Sequence, residues 1–143
     1  MPILAESSKA LIGSKVLIVD DEVPIADSLA MIFASHRFDV RVAYSAESAI
    51  EIISLWQPDL AILDVILPGM NGIDLAIATR ENYLSCRIIL FSGNADTSSL
   101  LEEAAKKGYS FDVLAKPVHP DLMLEAASSL LSLERIPEMT KFD

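Results

Sequence analysis

Four hydrophobic runs in this chain each end on a polar residue that could do chemistry. Val16-Leu17-Ile18-Val19 runs into Asp20-Asp21-Glu22, and Leu60-Ala61-Ile62-Leu63 runs into Asp64. Ile88-Ile89-Leu90-Phe91 runs into Ser92-Gly93, and Val113-Leu114-Ala115 runs into Lys116-Pro117. In an open parallel sheet the carboxyl ends of the strands share one edge, and ligands bind in the crevice there. Three carboxylates, a hydroxyl and an ammonium would then converge. Like charges about 4 Å apart repel by roughly 4 kcal/mol at an effective dielectric of 20, so such a cluster needs a cation or a raised pKa. Mg2+ fits, being a hard ion that takes carboxylate, carbonyl and water oxygens. Asp20, Asp21 and Asp64 would be balanced in charge by that ion together with Lys116. A phosphoryl group added to one carboxylate would then be offset by the metal and the lysine.

Asp64 is the best candidate to receive it. It ends the central strand and precedes Val65-Ile66-Leu67-Pro68-Gly69-Met70-Asn71-Gly72, where Pro68 and the two glycines make a turn-rich loop with backbone groups free to face the site. Asp20 and Asp21 lie beside it and suit metal binding. Ser92 supplies a hydroxyl donor for a phosphoryl oxygen, Gly93 permits close approach of backbone, and Lys116 is a compact point charge. Each piece alone has an ordinary explanation: an Asp-Asp pair after a strand is usually a solvated loop or a helix N-cap, and Ser-Gly or Lys-Pro a turn. Their conjunction at the ends of the first, third, fourth and fifth strands carries the argument.

Five β-rich runs alternate with longer helical stretches. Strands are predicted over Lys15–Val19, Val40–Tyr44, Leu60–Leu63, Arg87–Phe91 and Phe111–Ala115; the third and fourth are apolar without alternation, as in strands covered on both faces. The first helix opens near Pro24 and carries a stripe of Ile25, Leu29, Ile32 and Phe33. Ser45 caps a second helix with Ala49, Ile50, Ile53 and Trp56, stopped by Pro58. A third runs from Gly72 to Tyr83. A fourth opens at Asn94 or Asp96 and closes at Gly108, and a fifth has Pro120 in its first turn. Five β-α units define an α/β doubly wound (βα)5 sandwich. The expected division is a tail over 1–13, one domain over 14–133, and a tail or the start of a linker over 134–143.

The composition fits a globular domain, with 52% hydrophobic and 22% charged residues. A net charge of −10 argues against a nucleic-acid surface, which needs Lys/Arg patches, and is compatible with a protein partner that presents basic residues. The single cysteine, Cys86, rules out an intrachain disulfide framework, and a cytoplasmic location is the default expectation. No signal peptide is evident, and no apolar run approaches the roughly 20 residues that span a bilayer. His36 is expected at the end of the first helix and His119 at the start of the last, neither placed as a ligand.

Taken together, Val-Asp-Asp-Glu at 19–22, Asp-Val-Ile-Leu-Pro-Gly-Met-Asn-Gly at 64–72, Phe-Ser-Gly at 91–93 and Ala-Lys-Pro at 115–117 resemble the receiver domain of two-component response regulators. The resemblance spans about Lys15 to Leu133. It implies a flavodoxin-like parallel sheet of order 2-1-3-4-5. It implies phosphoryl transfer to Asp64 from a histidine kinase or phosphotransfer protein, with Mg2+ (or Mn2+) held by Asp21, Asp64 and the Ile66 carbonyl, and with Asp20 assisting. Ser92 and Lys116 would contact the phosphoryl group, with backbone from Val65 and Gly93. The product would be a switch that signals to a downstream protein, not an enzyme acting on other substrates. Two departures stand out. The family's inward-turning aromatic, three residues before the lysine, is replaced by Val113, with Tyr109 and Phe111 out of register. The positions two beyond Asp64 and Ser92, which influence phosphoryl lifetime, are Ile66 and Asn94. The alternatives are a receiver excised from a longer DNA-binding regulator or hybrid kinase, an unphosphorylated scaffold, and a Mg2+-dependent aspartyl phosphatase. The last would want a second Asp where Ile66 stands.

Overall fold

Runs of Val, Ile and Leu bounded by turn residues pair into one sheet. The computed structural model describes residues 12–93 and 97–133. Its strands are β1 (Lys15–Val19), β2 (Asp39–Ala43), β3 (Leu60–Asp64), β4 (Arg87–Ser92) and β5 (Asp112–Ala115). All neighbours are parallel, in the order β2-β1-β3-β4-β5. The helices are α1 (Val23–Ser35), α2 (Ala46–Trp56), α3 (Gly72–Asn82), α4 (Thr97–Lys106) and α5 (Pro120–Leu133).

Alternation along the strands sorts the core into two layers. Val16, Ile18, Leu60, Ile62, Ile89 and Phe91 face α1 and α5, where Ala26, Leu29, Phe33, Met123, Ala127 and Leu131 meet them. Leu17, Val19, Ala61, Leu63, Ile88 and Leu90 face the other way, against Ala49 and Ile53 of α2, Ile73, Leu75 and Ala76 of α3, and Ala104 of α4. Both faces of β1, β3 and β4 are therefore covered, which explains their unbroken apolar sequence.

The local signals act as their chemistry requires. The Ser45 hydroxyl accepts from the Ser48 N–H and caps α2. Asn71 caps α3 in the same way through Asp74 N–H. Gly108, at φ +93°, lets the chain leave α4. His36 sits at the α1 C-cap with its ring Nδ1 2.9 Å from the Ile32 carbonyl, and His119 Nδ1 accepts from Asp121 N–H at the start of α5. In α2, Ile50 is 44% exposed, because it lies one position round from the buried stripe of Ala46, Ala49 and Ile53.

Four strands differ from expectation, with β3 and β4 each running one residue further to take in Asp64 and Ser92. β2 starts one residue earlier, at Asp39, whose N–H bonds the Ser14 carbonyl so that Asp39 pairs with Lys15. Tyr44 leaves the strand, and its hydroxyl donates to Asp27 of α1 at 2.6 Å. β5 starts at Asp112 because Phe111 turns aside, stacking on Tyr109 and lying under the Arg80 guanidinium at 4.5 Å. Residues 1–11 of the expected N-terminal tail, the whole of the expected C-terminal tail, and the expected opening of the fourth helix at Asn94 or Asp96 lie outside the described residues.

Candidate functional site

In strand order 2-1-3-4-5 the chain reverses direction between β1 and β3, and this switch point opens a crevice at their carboxyl ends. Asp20 follows β1 there and Asp64 ends β3. Asp20 is fully buried and Asp64 is 5% exposed. Lys116, just past β5, reaches back across the sheet edge. Its Nζ donates to Asp20 Oδ2 and to Asp64 Oδ2, both at 3.1 Å. The two outer carboxylate oxygens are also satisfied: Asp20 Oδ1 accepts Glu22 N–H at 2.9 Å and Asp64 Oδ1 accepts Ile66 N–H at 3.2 Å. Phe91 floors the lysine, whose Nζ stands 4.7 Å from the ring centroid.

Asp21 points outward and is exposed, yet one oxygen from each of Asp20, Asp21 and Asp64 lies within 4.8 Å of the others. These three carboxylates are hard oxygen donors that would hold a Mg2+ ion, with water free to take its remaining positions. The cleft above is about 370 Å³ and is lined by Asp21, Glu22, Asp64, Ile66, Gly93 and Lys116.

Burial pushes the Asp64 carboxyl up to about 6 from an ordinary 3.8. The hydrogen bond from Lys116 pulls it down, the Asp20 charge pushes it up, and the Ile66 N–H pulls it down again. Lys116 ends above its ordinary value: burial alone would lower it, but its hydrogen bonds to Asp20 and Asp64 outweigh that.

Not every expected residue faces the cleft. Val65 was expected to present backbone to a phosphoryl group, and this needs correction. Its N–H donates to the Phe91 carbonyl at 3.1 Å and its carbonyl accepts Gly72 N–H at 2.8 Å, so its backbone is spent on the fold. The amide that addresses Asp64 is that of Ile66. Ser92 is buried at 7% exposure, with its hydroxyl donating to Thr97 Oγ1 at 3.5 Å. Gly93 borders the cleft, and a methyl group there would stand in ordinary contact with the Lys116 stem. Val113, paired with Leu90, is 38% exposed on the edge strand.

The sequence did not reveal the roles of three residues. Glu22 Oε1 lies 3.6 Å from Lys116 Nζ. Thr97, 6% exposed, partners Ser92. Gly72 packs so tightly that a Cβ would collide with the Asp64 carbonyl oxygen. Only Gly72 left a usable trace, as a glycine opening a helix one turn after the Asp64 loop.

A parallel flavodoxin-like sheet with an acidic, lysine-bearing crevice at its switch point sets the class. Residues 16–128 match the model of the response regulator receiver domain, and the chain belongs to that family. Among solved structures it is similar to a CheY-like response regulator receiver domain protein from Methanospirillum hungatei. The two share 26% identity over 86% of this chain and 97% of that one, with a TM-score of 0.80. It is similar to the response regulator TrrA of Thermotoga maritima, solved with Mg2+-BeF, at 26% identity over 82% and 98% of the two chains and a TM-score of 0.72. It also resembles NtrX from Brucella abortus, solved in complex with ATP, at 26% identity and a TM-score of 0.78. That match covers 91% of this chain but 29% of the other. Receiver domains are signalling switches, and they bind Mg2+ at an acidic Asp cluster such as the one here. No described helix is long and apolar enough to cross a membrane.

Proposed function

We propose that this chain is the phosphoacceptor of a two-component phosphorelay, taking a phosphoryl group on Asp64 from a histidine kinase or phosphotransfer protein. The observation that carries this reading is Lys116 Nζ held at 3.1 Å from both Asp20 and Asp64, in a crevice that also gathers Asp21. An Asp64 carboxylate oxygen bonds to phosphorus while the donor's N–P bond breaks and the leaving nitrogen keeps the electron pair. Asp20, Asp21, Asp64 and the Ile66 carbonyl are the residues that would hold Mg2+ or Mn2+, which when bound supplies positive charge against the phosphoryl oxygens. Lys116 adds a fixed charge to those oxygens, and the Ile66 and Gly93 backbones border them. Ser92 turns from Thr97 toward the phosphoryl group, which couples the site to α4.

The domain runs over 14–133 and works in the cytoplasm. It catalyses only its own phosphorylation and dephosphorylation, and its output is altered contact with a downstream protein, with no nucleic acid bound by this chain. The partial match to the longer NtrX chain also favours a second reading, in which the domain is one part of a larger regulator. A pseudo-receiver scaffold is disfavoured, since Asp20, Asp21, Asp64 and Lys116 are all in place. The test is intact mass after incubation with a small phosphodonor and Mg2+. One hydroxylamine-labile phosphoryl group is expected on the wild type and none on Asp64→Asn; equal uptake by the variant overturns the assignment.

A further inference from the structure

Glu22 is the N-cap residue of α1, yet its carboxylate makes no capping hydrogen bond. It turns instead to Lys116, 3.6 Å away, while its own side chain stays 60% exposed. So exposed an ion pair contributes little to holding the lysine, and Lys116 is already fixed by two buried carboxylates at 3.1 Å. In the charge balance, Asp20, Asp21 and Asp64 are matched by a divalent cation and Lys116. Glu22 is then a surplus negative charge, standing on the rim of the cleft that a donor must enter.

We propose that Glu22 selects the phosphoryl donor, by repelling small, highly charged donors from the mouth of the Asp64 cleft. The proposal rests on the phosphoacceptor reading above. Glu22 Oε1 lies 3.6 Å from Lys116 Nζ, and an ammonium–phosphoryl hydrogen bond adds about 2.8 Å, so the carboxylate would stand within about 6 Å of a phosphoryl oxygen that Lys116 holds. In water that repulsion corresponds to about two- to threefold in rate for each negative charge on the donor at low salt. Acetyl phosphate arrives as a dianion and phosphoramidate as a monoanion. In either case Asp64 oxygen bonds to phosphorus, the donor's O–P or N–P bond breaks, and acetate or ammonia leaves with the electron pair. A phosphohistidine on a docked protein is brought in by surface contacts that a free anion lacks, so Glu22 favours the protein donor.

The experiment measures phosphorylation rates of the full chain and of Glu22→Gln with both small donors, at saturating Mg2+, in low salt and again near 1 M. The ratio of the acetyl phosphate rate to the phosphoramidate rate should rise about two- to threefold in Glu22→Gln at low salt and return toward the wild-type ratio at high salt, where the screening length is about 3 Å. Glu51→Gln, an exposed charge deletion on α2, should keep the wild-type ratio. An unchanged ratio in Glu22→Gln overturns the proposal, as does an equal slowing with both donors, which would make Glu22 a positioner of Lys116. If the wild type accepts phosphoryl from neither donor, the phosphoacceptor reading fails and this inference with it.

Discussion

Replacing Asp64 by Asn in the metal-free protein measures what the site costs the fold. Burial pushes this carboxyl up to about 6 from 3.8. The folded chain therefore holds the Asp64 proton more tightly than the unfolded chain does. Stability falls as pH rises through the window from about 4 to about 6, and the loss persists above it. Just over two pH units at about 1.36 kcal/mol each give about 3 kcal/mol. The cleft opens to solvent, so screening reduces this to about 1–2 kcal/mol. Asn keeps an acceptor for the Ile66 N–H, and Lys116 keeps Asp20 at 3.1 Å. Metal-free Asp64→Asn should therefore melt about 4–8 °C above wild type at pH 7.5. The gap should close toward pH 4, where Asp64 is protonated in the folded wild type. Saturating Mg2+ should narrow or reverse it, because only the wild type retains all the carboxylate ligands. The assay is thermal unfolding followed by circular dichroism, from pH 4 to 8, with chelator and then with Mg2+. A variant no more stable than wild type at pH 7.5, or a gap indifferent to pH, would refute the electrostatic account.

Asp21→Ala should weaken Mg2+ binding about tenfold or more while leaving the fold intact, since the side chain is exposed; calorimetric titration checks it, and an unchanged affinity contradicts it. Gly72→Ala should destabilise by about 1–3 kcal/mol, because the new methyl meets the Asp64 carbonyl, and a melt matching wild type would show that the loop yields freely. Ser92→Ala should still take up a phosphoryl group but lose much of the shift response in α4 and β5 on adding a phosphoryl mimic, whereas Lys116→Ala should slow uptake itself; a full wild-type NMR pattern in Ser92→Ala would contradict the division. The isolated chain should not bind duplex DNA, given its net charge of −10 and a single adjacent basic pair, Lys106-Lys107; salt-sensitive micromolar binding by anisotropy would contradict this.

The fold class and most of the candidate site were legible in the order of residues. Apolar runs with period-two or unbroken patterning mark strands locally, and in a parallel sheet every strand end faces one edge. Asp20, Asp21, Asp64 and Lys116 could thus be gathered without coordinates. How each group is spent depends on packing between remote segments. Val65 and Ile66 look alike as apolar neighbours of Asp64. Pairing with β4 and the tight return of Gly72 consume the Val65 backbone and leave the Ile66 amide to the carboxylate. Ser92 was legible as a strand-end hydroxyl, but its partner Thr97 depends on how the next helix docks. Glu22 read as the tail of an acidic motif. Its approach to Lys116, 94 positions away in the chain, follows from the β1-β3-β4-β5 order and from nothing local. Periodicity reports which face a residue takes; the distances between side chains from remote strands are set only when the sheet closes its order and the helices pack on it.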